Sequence, residues 1–234
     1  MPTAKDSSLG RLVRLLAVSD TAFPVGGFSF SDGLESAVMC GIVKDAVSLE
    51  EYAYTVMRQV AYTDGVAALC AHRAARSEDF DLLSHLDNTL HNSKTSAELR
   101  LKTLRMGRRL AELAARTAPS HTTIEWHRMV HAEQTVGCYA VGLAVLCAST
   151  GVSADDMFGS LMFGSLATVL GAALRLLRVS HFDTWRTMFR LSDRADELYE
   201  RIKELSIDEI QTFAPLADVM AGVHERGFSR MFMN

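Results

Sequence analysis

The amino-acid sequence predicts an all-α fold, a single-domain bundle of roughly ten helices around a central apolar helix pair. Apolar residues recur three and four positions apart, a spacing that builds one apolar face of a helix; one example is the series Leu101, Leu104, Leu110 and Leu113. The alternation typical of a half-buried strand is scarce. The chain has only four prolines, and each stands where a loop or a helix start is expected.

Helix starts are marked by a hydroxyl residue followed three positions later by an acidic residue. In this pattern the hydroxyl accepts a free backbone N–H and the acidic side chain reaches back to the first residue. Four such pairs occur: Ser48 with Glu51, Thr122 with Glu125, Ser153 with Asp156, and Ser206 with Glu209. The predicted helices are 9–19, 31–40, 48–76, 78–90, 95–117, 122–150, 153–178, 181–190, 192–205 and 206–224, of which 122–150 and 153–178 form the central pair.

Composition limits the classes of function. The 234 residues are 48% apolar and carry a net charge of −4, without a long basic or acidic block. This balance does not indicate nucleic-acid binding. No linker or repeat divides the chain, so we expect one domain over 1–234 with a flexible tail at 225–234. The four cysteines show no CxxC spacing, and the first residues lack a signal-peptide pattern, so we expect a reducing, cytoplasmic location.

Two uncharged stretches, 135–152 and 157–174, leave a membrane hairpin open as an alternative. Each is about 18 residues long, the lower limit for a membrane span. Both contain several glycines and hydroxyl residues, which also allow two helices to approach closely inside a core. We therefore favour a buried helix pair and expect no membrane contact.

A second alternative is a metal-dependent hydrolase built on two histidines. His127 and His131 are four positions apart, on the same face of a predicted helix. A metal site normally needs three or four ligands, and Arg128 stands where the catalytic Glu of an HExxH motif would be. We interpret the pair as partly buried or capping histidines and expect no metal site.

Three segments interrupt the helical pattern: 19–35, 96–100 and 213–234. In the first, Gly26 and Gly27 lack the spacing and the lysine of a phosphate-binding loop. They favour a tight turn, with Ser31 capping the next helix. The turn either presents Phe28 and Phe30 at the surface or places them in the core, because alternate positions need not both face outward. The last segment mixes arginine with aromatic residues, a composition that suits docking on a partner or on the protein's own core. No local signature of a catalytic nucleophile is present.

These segments together resemble the urease accessory protein UreF family. The loop from Asp20 to Glu35, with FPVGGFSFSDGLE at 23–35, is similar to the family's N-terminal block. Glu98-Leu99-Arg100 is similar to its central motif, and HERGFSRMFMN at 224–234 to its C-terminal signature. The order and spacing of the three motifs carry the resemblance, which extends over nearly the whole chain.

The resemblance implies a cytoplasmic, all-helical and commonly dimeric chaperone without a catalytic site. Such a protein joins the accessory protein UreH, also called UreD, and the GTPase UreG in a complex that delivers nickel to apo-urease. It would regulate the GTPase, whereas nickel and GTP would be bound by UreG, and it would need no cofactor of its own. The implied partner-binding residues are Asp20, Pro24, Gly26, Phe28, Ser31, Gly33, Glu35, Glu98, Arg100, His224, Glu225, Arg226, Phe228, Ser229 and Arg230.

Overall fold

The predicted all-α fold is confirmed by a computed structural model, which describes residues 8–20, 22–211 and 232. Within these residues there are eleven α-helices and no strand. The helices are α1 Ser8–Ser19, α2 Leu34–Met39, α3 Ala46–Val60, α4 Val66–Arg76, α5 Phe80–Ser93, α6 Ala97–Thr117, α7 His121–His131, α8 Tyr139–Ser149, α9 Ala154–Leu176, α10 His181–Ser192 and α11 Ala195–Ile202. A π-helical turn, Ala61–Gly65, joins α3 to α4.

Two of the four predicted helix-start pairs are confirmed. Ser153 accepts the N–H of Asp156 at 3.3 Å at the start of α9. The carboxylate of Glu209 accepts the N–H of Ser206 at 2.8 Å. The second pair opens a short 3₁₀ turn, Ile207–Glu209, and the rest of the helix predicted at 206–224 lies almost wholly outside the described residues.

The other two predicted pairs are wrong, because the helices begin earlier. Asp45 is the N-cap residue of α3, and its side chain accepts the N–H of Ser48 at 2.9 Å. Ser120 caps α7 and accepts the N–H of Thr123 at 3.1 Å. In both cases a hydroxyl replaces the acidic side chain that reaches back to the cap, so the pattern sought in the sequence was too narrow.

The predicted helix 122–150 is also wrong, since the chain leaves the helix at 132–138. The cause is the buried carboxylate of Asp87 on α5. It accepts hydrogen bonds from the hydroxyl of Thr135 at 2.6 Å and from the N–H groups of Gly137 and Cys138 at 2.6 and 2.7 Å. Gly137 has a φ of 82°, which glycine adopts without strain. A distant side chain thus sets the break.

The core is centred on α8, of which every residue from 140 to 147 is buried. Helix α8 packs against α4 and α6 and also contacts α7 and α9. The approach of α6 is close because Gly107 has no side chain: a Cβ placed there would lie 2.0 Å from the carbonyl oxygen of Gly137. Both helices predicted as the central pair are therefore apolar, but α8 is shorter than predicted and packs chiefly against α4 and α6.

Helix length decides against the membrane hairpin. Helix α8 has 11 residues and spans roughly 16 Å at 1.5 Å per residue, about half of a bilayer core. Among the described residues, α9 alone is long and apolar enough to cross a membrane, and 56% of its most apolar window is buried inside the protein. One side of α9 therefore packs in the core of the protein. The alternative of a membrane hairpin with two spans is wrong, because α8 is too short to cross a bilayer.

Candidate interaction surface

The N-terminal block begins with a turn at the end of α1. The carboxylate of Asp20 accepts the N–H of Ala22 at 2.8 Å. Gly26 has a φ of 83°, in the left-handed region that favours glycine, so the tight turn predicted at the Gly-Gly pair is present. Asp20 and Pro24 are exposed, so these two predicted partner-binding residues lie on the surface.

Other residues of the block lie inside. Ser31 is fully buried, Glu35 is 5% exposed, and Gly33, with a φ of 79°, precedes α2. The hydroxyl of Ser31 accepts the N–H of Glu35 at 3.5 Å, although α2 begins only at Leu34. These three residues therefore shape the turn into α2, and their contact with a partner stays a prediction.

The predictions for the two aromatic residues of the block, Phe28 and Phe30, have to be judged separately. Phe30 is 3% exposed, with the ammonium of Lys102 5.8 Å from its ring centre. It therefore packs inside and is not presented outward. Phe28 lies in a 3₁₀ turn, Gly27–Ser29, and its predicted partner contact stays a prediction.

Glu35 links the N-terminal block to the C-terminal signature. Its carboxylate accepts the backbone N–H of Phe232 at 3.2 Å. Phe232 is 4% exposed, and the guanidinium of Arg175, on α9, lies 4.0 Å from its ring centre. Two segments at opposite ends of the sequence therefore meet beside the C-terminal end of α9.

The central motif closes the connection between α5 and α6. Ser96 caps α6 by accepting the N–H of Leu99 at 3.4 Å. Arg100 donates to the carbonyl oxygens of Lys94 and Thr95 at 2.5 and 3.1 Å, and Glu98 is 7% exposed. In this structure the motif holds a loop in place; its role in partner binding stays a prediction.

Behind this loop lies a cavity of about 150 Å³ with two ion pairs in its wall. Lys94 contacts Asp64 at 2.7 Å, and Lys102 contacts Asp32 at 2.5 Å. Burial alone would lower the pKa of Lys94, but the Asp64 carboxylate more than offsets this and the pKa is raised. Burial raises the pKa of Tyr139, also in the wall, to about 12. Lys94 and Tyr139 therefore keep their protons at neutral pH.

A second cavity, of about 170 Å³, joins the N-terminal block to α9. Met106 and Tyr139 line both cavities. Asp20, on the block, and Arg175, which covers Phe232, lie in the wall of the second one. The N-terminal block and the contact between Arg175 and Phe232 thus lie on one side of α9.

The same side of α9 carries an exposed apolar surface, here named the α1–α10 apolar face. It surrounds a groove of about 550 Å³ that Leu16, Phe163, Gly171 and Trp185 help to line. Large exposed side chains stand on both flanking helices: Leu9, Leu12, Val13 and Leu16 on α1, and Phe182, Trp185 and Phe189 on α10. They are between 50% and 82% exposed. Apolar surface grouped in this way marks interaction sites.

Sequence reasoning predicted α1 and α10 but missed this face. The signal was present, because positions 9, 12, 13 and 16 form one helical stripe. Such a stripe normally faces the core. In α1 it is Leu15 and Val18 that pack inward, and only the three-dimensional arrangement shows that the helix has a second apolar side.

The predicted histidine pair is present on one face of α7. The ring centres of His127 and His131 are 6.1 Å apart. Across the part of the chain that the structure describes, no three His, Cys, Asp or Glu side chains are grouped so as to hold a metal. The described geometry therefore offers the hydrolase alternative no third ligand.

The C-terminal signature lies mostly outside the described residues. This applies to six predicted partner-binding residues, His224, Glu225, Arg226, Phe228, Ser229 and Arg230, and to the predicted tail at 225–234 except Phe232. Their roles stay predictions, and Phe232 alone places the signature next to Glu35 and Arg175.

Comparisons with known proteins agree on one family. The UreF family model matches residues 43–192. The chain is 41% identical over 227 residues to urease accessory protein UreF 2 of Brucella canis, covering 97% of this chain and 93% of the relative. It is 34% identical over 223 residues to urease accessory protein UreF of Yersinia enterocolitica, covering 95% and 98%. The chain belongs to the UreF family of urease accessory proteins.

Proposed function

We propose that this protein is a cytoplasmic scaffold of urease maturation. It binds UreH (UreD) and through it recruits the GTPase UreG, so that nickel reaches apo-urease. The family supports the general role, since the relatives are urease accessory proteins by name. The observation that carries the scaffold role is the α1–α10 apolar face, because exposed apolar side chains of this size mark protein-binding surfaces.

Two copies of the chain meet through the α1–α10 apolar face in this proposal. A two-fold dimer places the same patch of both copies in contact, so the patch must fit itself. The face suits this arrangement, because its groove is flanked by projecting leucine and aromatic side chains on two helices. A projecting helix of one copy can enter the groove of the other.

The N-terminal block and the tail then supply the contacts to UreH. Asp20 is exposed and lines the groove. It shares the wall of the second cavity with Arg175, whose guanidinium contacts Phe232. A partner that binds both segments would therefore contact one continuous side of the protein. In this proposal nickel and GTP are bound by UreG, and this chain regulates the GTPase by positioning it.

Co-purification with the host's UreH and UreG tests the scaffold role. We expect a complex that elutes together in size-exclusion chromatography with light scattering, with UreG retained in the presence of GTP and nickel. Failure of this chain to associate with either protein under any of these conditions would contradict the proposal.

The dimer surface is tested by the double variant Leu12→Asp and Leu16→Asp. Two buried charges would disfavour the contact between copies, so light scattering should report a monomer with unchanged helix content. Ile124→Asp is the matched control, since Ile124 is a 52% exposed apolar residue on α7, away from the face. A dimer that persists in the double variant would show that another surface joins the copies.

A further inference from the structure

Helix α6 is strongly basic within an acidic protein. It carries six basic residues and two acidic ones, whereas the whole chain has a net charge of −4. The remainder of the protein is therefore acidic, and α6 has the largest net positive charge among the described helices. A net positive charge on one helix attracts negatively charged groups that come close to its exposed side, and salt screens this attraction at longer range.

Two of the basic residues of α6 are used inside the protein. Arg100 bonds to the carbonyl oxygens of the preceding loop. Lys102 forms its ion pair with Asp32 at the wall of the cavity. These two residues have structural roles and do not contribute to the outer side of the helix.

The other four lie on the outer side, and we name them the arginine stripe: Arg105, Arg108, Arg109 and Arg116. Arg109 and Arg116 share a single carboxylate, Glu112, at 2.7 and 3.0 Å. Arg105 and Arg108 are exposed, and among the described residues neither forms an ion pair. The stripe therefore holds four positive charges against one negative charge.

Helical spacing makes the stripe continuous. Residues three or four positions apart are neighbours on a helix surface, and each member of the stripe has such a neighbour in the stripe or in Glu112. Its length is roughly 16 Å at 1.5 Å per residue. Leu101, one turn before Arg105, is 42% exposed and adds an apolar contact at one end.

We propose that the arginine stripe binds a carboxylate-rich segment of a partner protein in the urease maturation assembly. Arginine forks pair with carboxylates in two-point contacts, and the charges of stripe and segment are complementary. A nucleic acid is disfavoured, because a long phosphate chain would meet the acidic remainder of the protein beyond this short stripe. The inference rests on the proposed scaffold function, since the segment belongs to another protein of that assembly.

The test uses the chain alone with a fluorescent helical peptide of about 18 residues that carries glutamate along one face, and a second peptide with glutamine at the same positions. Fluorescence anisotropy at about 50 mM NaCl should show binding of the glutamate peptide only. We expect the double variant Arg105→Glu and Arg108→Glu to bind it at least about tenfold more weakly, and Arg105→Gln with Arg108→Gln to fall between. The matched control, Arg201→Glu with Lys203→Glu, makes the same charge change on exposed ion pairs elsewhere and should stay within about twofold.

Three results would overturn the inference. They are equal binding by the Arg105 and Arg108 variants, no preference for the glutamate over the glutamine peptide, and tighter binding of an oligonucleotide of the same charge. Because this assay needs neither UreH nor UreG, its outcome is separate from that of co-purification, which tests the scaffold function itself. In an assembled complex, the glutamate variants should lose one partner at a lower salt concentration than the control.

Discussion

The backbone N–H of Phe232 donates a hydrogen bond of 3.2 Å to the carboxylate of Glu35, which is 197 positions away in the sequence. Phe232 also packs under the guanidinium of Arg175. Within the described part of the chain, Phe232 therefore has one polar and one aromatic contact at the side of α9 that carries the candidate interaction surface.

Removing the carboxylate should release the chain end. A hydrogen bond to a charged group contributes about 1.5–3 kcal/mol, so Glu35→Ala should accelerate hydrogen exchange at the Phe232 amide by about tenfold or more. Glu35→Gln keeps an acceptor oxygen and should lie between this variant and the wild type. Unchanged exchange in Glu35→Ala would mean that packing alone holds Phe232.

Asp87 should be among the polar residues on which folding depends most. Its side chain is fully buried and accepts three hydrogen bonds from the loop between α7 and α8. Asp87→Asn turns an amide toward these donors and should cost about 3 kcal/mol, which lowers the melting temperature by about 6–12 °C. Asp81→Asn, at an exposed position of the same helix, is the control; similar melting temperatures for both variants would contradict the assignment.

Glycine substitutions should have opposite effects on α6 and α9. In Gly107→Ala the new Cβ would lie 2.0 Å from a backbone oxygen and 2.6 Å from a backbone carbon, so α6 and α8 must separate and the protein should unfold at lower denaturant concentration. Gly159→Ala adds a Cβ in open space on a helix and should stabilise by about 0.5–1 kcal/mol. Urea titrations of both variants measure the difference, and a neutral Gly107→Ala would disprove the close contact.

Local signals predicted most of the helices, although two of the four predicted helix starts lie too late in the sequence. Ser153 and Ser206 mark their turns, and the turn at Gly26 has the left-handed backbone that its sequence requires. The break between α7 and α8 could not be found in this way, because it depends on Asp87, about fifty positions earlier in the chain. Local patterns do not report on a carboxylate that arrives through tertiary packing.

At the candidate interaction surface, too, the sequence located the segments but not the exposure of their side chains. The motifs located the segments that meet beside α9, but they could not separate buried Ser31 and Glu35 from exposed Asp20. The exposed leucines of α1 fit the same helical spacing as a core-facing stripe, so their surface position needed the fold. The arginines of α6 were visible individually, whereas the absence of ion pairs for Arg105 and Arg108 among the described residues required the structure.

His72 should make the folded protein sensitive to mild acid. Its ring is 3% exposed, and Nε2 lies 2.9 Å from the carbonyl oxygen of Val152, between α8 and α9. Burial lowers its pKa below the ordinary 6.5, so the unfolded chain takes up a proton before the folded protein does. The contribution of His72 to stability is therefore fully present above pH 6.5 and falls as the pH drops below it, by less than about 1.4 kcal/mol per pH unit for one proton.

The prediction for His72 is tested by how the free energy of unfolding changes with pH, and not by its value at a single pH. Urea unfolding of His72→Gln at several pH values from 7.5 to about 5 should show a smaller loss on acidification than the wild type, because glutamine does not titrate while its amide can still donate to Val152. His85→Gln, at an exposed position, should keep the wild-type slope. If the His72 variant loses stability with acid as steeply as the wild type, the sensitivity arises from other groups, and the His72 ring takes up a proton as readily in the folded protein as in the unfolded chain.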